Sequence, residues 1–289
     1  MQVAPLFAAL FSVLVPVKMW YGIAQRDEVQ IAGPGEYKLV LTDFAGKAQE
    51  PQGAVDVSGG KVVDVKAIFP QLSMLGTYVL YAVPKGKSLP EFAGTPLVIE
   101  VRGERNGPPE PAVTKIEPLR YAIMQTKYGP VKMIFYYDVA PHTADNFLRL
   151  SEEGYFDGLT FHRIVPKFVI QGGDPRGNGM GGPGYFINAE FNDRPHEAGV
   201  LSMARSEDPN SAGSQFFICL DYNGTKGLDH KYTAFGKVVD GMSAVNQIAA
   251  TPLRDPRNGV PETQQVIQSI TVKPVTAQDN PYAQDLHLK

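Results

Sequence analysis

Over the first hundred residues, apolar and polar positions alternate in short runs, and turn residues cut them to strand length. Glu28-Val29-Gln30-Ile31, Tyr37-Lys38-Leu39-Val40-Leu41, Val62-Val63-Asp64-Val65, Gly76-Thr77-Tyr78-Val79-Leu80-Tyr81-Ala82-Val83 and Pro96-Leu97-Val98-Ile99-Glu100-Val101 are the clearest. About seven such runs, with no 3.6-residue period, predict a small β-sandwich over 15–102. The pattern breaks at Arg102-Gly103-Glu104-Arg105-Asn106-Gly107-Pro108-Pro109-Glu110-Pro111, which predicts a semi-rigid linker over 103–118. Over 119–273, strands resume around two helical stretches, 143–153 behind Pro141 with Phe147, Leu148 and Leu150 on its apolar side, and 243–249. Periodicity alone makes this half mixed and mainly β. Residues 274–289 lose the pattern and are expected as a loosely held polar tail.

One strand-like run stands apart: Phe161-His162-Arg163-Ile164-Val165-Pro166-Lys167-Phe168-Val169-Ile170-Gln171-Gly172-Gly173-Asp174 carries an arginine and a glutamine up to a glycine stop. A mostly buried strand must give such side chains a partner or a task. Taken alone, they are satisfied polar groups at a sheet edge. Four more segments weigh against that bland reading. Upstream is Ala140-Pro141-His142-Thr143-Ala144-Asp145-Asn146-Phe147. Downstream are Gly199-Val200-Leu201-Ser202-Met203-Ala204-Arg205, Asn210-Ser211-Ala212-Gly213-Ser214-Gln215-Phe216-Phe217-Ile218-Cys219, and the stretch from Leu228-Asp229-His230-Lys231-Tyr232 to Asp240-Gly241-Met242. In order and spacing, 120–272 resembles the cyclophilins. The resemblance implies an eight-stranded antiparallel β-barrel with two capping helices, and isomerisation of Xaa-Pro bonds without cofactor or metal.

The barrier to such rotation, about 20 kcal/mol, comes from amide resonance. An apolar cup for the proline ring, a cation aimed at the imide nitrogen and polar groups holding the flanking backbone suffice to lower it. By resemblance, Arg163 is the catalytic guanidinium, and its planar, always charged fork suits the task better than a lysine. Gln171 matches the glutamine that bonds the substrate backbone beside it, and Gln215 a second site glutamine. Phe168, Phe217 and Leu228, with Val169 beside them, match the proline pocket, although without the family they read as ordinary core. Tyr232 stands where cyclosporin-sensitive members have histidine, and Gly227 about where they have tryptophan, which implies weak cyclosporin binding. Arg205 stands where many members carry asparagine and where the backbone holds the peptide. Met180 and Ser206 are expected to tune which side chain precedes the proline.

Other signals carry less. Gly177-Asn178-Gly179-Met180-Gly181-Gly182 spells G-x-G-x-x-G, but Pro183 and Gly184 follow instead of a helix, so no helix N-terminus meets a phosphate. His142, His162, His196, His230 and His287 are scattered without a metal-ligand spacing, and Ser214 lacks a nucleophile elbow. Cys219, the one cysteine, excludes an internal disulfide and is expected to pack. The 289 residues are 43% hydrophobic and 20% charged, with net charge −3, which leaves room for two cores and no basic field. Nucleic acid and lipid-specific binding are therefore not expected.

Residues 1–14 are open between a signal or anchor segment and an N-terminal arm. The stretch 6–15 is apolar, yet the first cation is Lys18 and no A-x-A site follows. The compartment is accordingly open between the bacterial periplasm or cell envelope and the cytoplasm. The front sandwich, of immunoglobulin-like type by strand count, shows no catalytic constellation, and recruitment, attachment to a protein partner, or spacing are its expected roles. The partners implied by the resemblance are Pro-containing peptides and unfolded or partly folded proteins. The rival reading is a cyclophilin-fold adaptor or holdase with little catalysis, against which Arg163, Phe168, Gln171, Phe217 and Leu228 stand together.

Overall fold

The computed structural model describes residues 12–22, 24–103 and 113–286. The chain divides into two compact units, 1–120 with 274–289, and 121–273.

The front unit holds β1 (Leu14–Pro16), β2 (Trp20–Gly22), β3 (Glu28–Ile31), β4 (Glu36–Asp43), β5 (Asp56–Ser58), β6 (Val62–Asp64), α1 (Val65–Ile68), β7 (Gly76–Pro84), β8 (Leu97–Arg102) and β9 (Val113–Pro118). These strands form a sheet of three, β1-β3-β6, and one of six, β2-β9-β8-β7-β4-β5. One buried cluster draws on both sheets, with Leu14, Val29 and Ile31 from the first and Leu39, Leu41, Leu80, Ile99 and Ile116 from the second. This is the two-sheet architecture expected of period-2 alternation, with nine strands among the described residues, of which β9 lies beyond the expected 15–102.

Three boundaries differ from expectation. Of the segment 1–14, residues 1–11 lie outside the described residues, while Val13 and Leu14 belong to the front core. Of the expected linker, 104–112 lies outside the described residues, but 113–118 is strand β9, paired to β2 and β8. Its Ile116 faces the core, and Lys115 and Glu117 are buried on its other face, joined at 2.9 Å. A strand whose alternate residues form ion pairs reads as polar linker in sequence. The expected loose tail instead buries Val275, Tyr282 and Leu286 in the front unit. The Tyr282 hydroxyl donates to the Arg120 carbonyl at 2.7 Å, and its ring meets Phe44 edge-on. Among the described residues, no helix is long and apolar enough to cross a membrane.

The second unit holds β10 (Arg120–Thr126), β11 (Gly129–Phe135), α2 (Pro141–Glu152), β12 (Arg163–Val165), β13 (Val169–Gly172), β14 (Val200–Met203), β15 (Phe216–Cys219), α3 (Tyr222–Thr225), β16 (Ala234–Asp240), α4 (Met242–Ala249), β17 (Leu253–Asp255), β18 (Val260–Pro261) and β19 (Ser269–Pro274). Eight of the strands form one sheet, β12-β13-β15-β14-β16-β11-β10-β19. From β12 to β10 all neighbours run antiparallel. The two ends of the sheet meet: Phe161 N–H donates to Gln265 O and Ile267 N–H to Leu159 O, both at 2.8 Å, which rolls the sheet into a barrel. Phe147 of α2 plugs it, with ring centroids 4.9 to 5.7 Å from Phe135, Phe156, Phe216 and Phe235. Periodicity predicts only a mainly β unit; the barrel with helices is what the resemblance implies, and the structure has it.

Candidate functional site

Register assembles the site. Arg163 in β12 stands opposite Gln171 in β13, Gln171 opposite Phe217 in β15, and Phe217 opposite Ser202 in β14. Directly opposed residues share a face, so these four form one row across four strands, and Val169 shares that face two residues from Gln171. Their neighbours Ile164, Ile170, Phe216 and Ile218 point the other way and are fully buried. Period 2 thus separates the two phenylalanines: Phe216 serves the aromatic core and Phe217 serves the row.

Phe217, Val169, Tyr136, Val200, Cys219 and Ala234 form a buried cluster, against which Phe168, Leu228 and Tyr232 pack while keeping part of their surface in solvent. Tyr232 meets Phe217 edge-on at 5.9 Å. The result is an apolar cup with a buried floor and a wet rim. Burial pushes the Cys219 thiol up, so it stays protonated and packs.

A polar relay borders the cup. Arg163 Nη1 donates to Gln171 Oε1 at 3.4 Å, Gln171 Nε2 donates to Gln215 Oε1 at 3.0 Å, and Gln215 Nε2 donates to the carbonyls of Gly179 and Gly181 at 3.0 and 2.8 Å. A guanidinium only donates, so Gln171 must turn its oxygen to Arg163 and its NH2 to Gln215. Arg163 is half-buried and faces no acidic partner among the described residues.

The glycine-rich loop has its own anion. Asp174, fully buried, accepts from the backbone N–H of Arg176 at 2.7 Å, Asn178 at 3.0 Å and Gly179 at 2.6 Å. Burial raises its pKa, but these N–H bonds together outweigh it and hold the carboxyl below the usual range. A side chain at Gly181 would meet Asp174 Oδ1 at 1.9 Å. The G-x-G-x-x-G spacing therefore serves an internal carboxylate instead of a phosphate.

Arg205 is committed internally. Its guanidinium lies 4.7 Å from the Tyr232 ring and 5.8 Å from Phe191, and donates to the carbonyls of Lys231, Ser206 and Glu207 at 3.0, 2.8 and 3.1 Å. It holds Tyr232 and the 205–207 turn. Ser206 bonds Ser211, Oγ to Oγ, at 2.7 Å. Met180 is 78% exposed and bonds through its N–H to Asn178. Arg163, Gln171, Gln215, Phe168, Val169, Phe217, Leu228 and Tyr232 thus come together, whereas Met180 and Ser206 stand on separate exposed loops with no bond between them.

Sequence reasoning missed the support beneath Phe217. The His196 ring is fully buried and stacks on Phe217 at 6.2 Å and 25°. Its Nδ1 lies 2.9 Å from Asp229 Oδ1 and its Nε2 2.9 Å from Ser202 Oγ, while Tyr222 donates to Asp229 Oδ2 at 2.9 Å. Burial pushes the His196 pKa down despite the carboxylate, and the bonds from His196 and Tyr222 keep Asp229 ionised. A carboxylate only accepts, so the proton of the neutral ring sits on Nδ1. Serine, histidine and aspartate follow one another as in a hydrolase triad, but Ser202 is fully buried, with its Oγ also 3.0 Å from Thr233 O, so no acyl group reaches it. Ser214 is buried too, donating to Gly173 O at 2.7 Å. Among the described residues, no three His, Cys, Asp or Glu side chains converge as metal ligands.

Comparison with known proteins falls on the same unit. The family model described as cyclophilin type peptidyl-prolyl cis-trans isomerase/CLD matches residues 121–272. A peptidyl-prolyl cis-trans isomerase of Synechococcus elongatus is 49% identical over 122 residues, 42% of this chain and 82% of the relative. One from Schizosaccharomyces pombe is 45% identical over 131 residues, 43% of this chain and 82% of the relative. The crystal structure of a Cryptosporidium parvum cyclophilin type peptidyl-prolyl cis-trans isomerase, solved in the presence of the dipeptide Ala-Pro, is 33% identical with TM-score 0.50, covering 54% of this chain and 99% of that one. The match spans the barrel, both long helices and every strand of the site row. The chain belongs to the cyclophilin-type peptidyl-prolyl cis-trans isomerases, enzymes that interconvert the cis and trans forms of Xaa-Pro bonds.

Proposed function

We propose that isomerisation takes place in the cup beside Arg163. The proline ring enters among Phe168, Val169, Phe217 and Leu228, with Tyr232 closing one side. As the C–N bond twists, the imide nitrogen becomes pyramidal and recovers its lone pair, and the Arg163 guanidinium donates to it. The planar ground state has that lone pair delocalised and accepts poorly, so the bond strengthens on the way to the transition state. Gln171 aims the guanidinium with Oε1 and uses its second N–H on the flanking substrate backbone, while Gln215 fixes Gln171 against the glycine loop. The rotation makes and breaks no covalent bond.

The observation that carries this reading is the half-buried guanidinium of Arg163, bordered by an amide relay at the edge of an open apolar cup and opposed by no carboxylate among the described residues. The Cryptosporidium relative was solved with Ala-Pro present, which supports Pro-containing peptides as substrates. An open cup also admits the extended chain of an unfolded or partly folded protein, where slow proline steps arise.

A chymotrypsin-coupled assay on a short Ala-Pro-Phe anilide peptide tests it at equal folded concentration. Arg163→Ala is expected to lose about a hundredfold in turnover, and Arg163→Lys most of the activity, because it keeps the charge and loses the fork. Equal, rapid rates in wild type and Arg163→Ala would remove Arg163 from the chemistry. Near-background rates in both would make the cup an adaptor or holdase surface.

A further inference from the structure

The isomerase unit has a second depression, of about 620 Å³, that none of the cup residues lines. Its apolar lining is Pro166, Ala198, Leu220, Ala249 and Ala250. Three of these are alanines, whose small side chains let a peptide backbone approach. Its polar lining is Lys167, Glu197, Asp221, Tyr222 and Asn246.

The lining is net negative. Glu197 and Asp221 bring two carboxylates against the single ammonium of Lys167, and none of the three joins an ion pair among the described residues. Asp221 spends Oδ1 on capping α3 through Asn223 N–H at 2.9 Å, which leaves Oδ2 uncommitted. Helix α4 ends at this depression and adds the partial negative charge of a helix C-terminus. Tyr222 is 41% exposed, and its hydroxyl is tied down to Asp229, so its ring holds a fixed direction at the wall.

We propose that this depression is a second peptide-binding site, which takes an arginine side chain carried on an extended segment with small apolar neighbours. Arginine matches the lining better than lysine. Its planar fork pairs with carboxylates in two directions, it sheds water more readily than an ammonium, and it stacks on a tyrosine ring. The site also adjoins the proline cup: Lys167 precedes Phe168, and Leu220 N–H donates to Phe168 O at 2.8 Å. A client filling both is held on either side of Phe168.

The test titrates the full, ¹⁵N-labelled chain with N-acetyl-Ala-Arg-Ala-amide and, separately, with its glutamate counterpart, neither of which contains proline. The arginine peptide is expected to shift the backbone amides of Lys167, Glu197, Asp221, Tyr222 and Ala250 saturably, and the glutamate peptide to leave them in place. Glu197→Lys reverses a charge on an exposed side chain outside the cup. It is expected to weaken the arginine peptide about tenfold while turnover of the Ala-Pro-Phe anilide stays unchanged. Absent shifts, equal shifts with both peptides, or an affinity indifferent to Glu197→Lys would each overturn the site. None of these outcomes bears on Arg163, whose role the isomerase assay tests separately.

Discussion

Two residues beside the cup hold left-handed backbone without being glycine: Lys167 at φ 60° and His230 at φ 61°. For a residue with a Cβ this conformation costs on the order of 1 kcal/mol. Lys167 sits in the turn that aims Phe168, and its carbonyl lies where a side chain at Gly224 would come within 2.2 Å. His230 lies in the turn between Leu228 and Tyr232, with Nδ1 3.3 Å from Asp193 Oδ1, but both side chains are largely exposed and such a pair contributes little. His230→Gly is therefore expected to stabilise the protein by about 0.5 kcal/mol, since relief of strain slightly exceeds the entropy glycine gives the unfolded chain. Chemical denaturation of the two proteins measures it, and a loss of stability would mean that the Asp193 contact is worth more than its exposure suggests.

At the scale of elements, α2 shows what pattern does and does not reveal. Its apolar face and Pro141 mark it in sequence, and the expected 143–153 and 243–249 lie close to the observed Pro141–Glu152 and Met242–Ala249. Its cap is invisible in sequence, because Ala140 at the N-cap offers no side chain and the capping group comes from 47 residues away. Glu190, buried, accepts from the N–H of His142 and Thr143 at 3.2 and 2.8 Å and from Thr143 Oγ1 at 2.8 Å. Two orphan N–H groups and the positive helix end thus share one carboxylate. Glu190→Ala is expected to cost about 2 kcal/mol, read as a lower urea midpoint. The same physics sets what was legible of the site. Arg163 and Gln171 were visible because a polar residue on an apolar strand stands out, whereas Phe217 in Phe216-Phe217-Ile218 reads as core until the resemblance places it in the pocket. His196 and Asp229 were not visible, because a polar pair 33 residues apart leaves no periodic trace. Strand β9 has the look of linker because Lys115 and Glu117, buried as a pair, look solvated in sequence.

At the scale of the whole chain, the two units draw on different signals and can be followed separately. Trp20, the one tryptophan, lies in β2 of the front unit, so its fluorescence reports that unit, while the cup and its activity belong to the other. Removing residues 274–289 strips Val275, Tyr282 and Leu286 from the front core and is expected to cost that unit about 3 kcal/mol or more. The Trp20-reported midpoint should fall while isomerase turnover at low temperature persists. Acid should do the reverse. His162 and His196 of the isomerase unit both sit below the ordinary 6.5, chiefly through burial, which outweighs the pull of Asp174 on the first and Asp229 on the second. Below pH 6.5 the unfolded chain takes up protons at these positions that the folded unit does not, so stability present above 6.5 is lost as pH falls. Asp229 and Asp174, held below 3.8, add to the loss only in stronger acid. In the front unit, burial raises Asp27 above 3.8 despite Lys66, so the folded state keeps its proton at higher pH and acidification favours folding there. Urea unfolding at pH 7.5 and pH 5, followed by Trp20 fluorescence and by far-UV circular dichroism, separates the two. The fluorescence midpoint should hold while the remaining dichroic transition moves to lower urea, and His196→Gln should flatten that shift. Midpoints that move together would mean that the buried histidines do not govern the acid response.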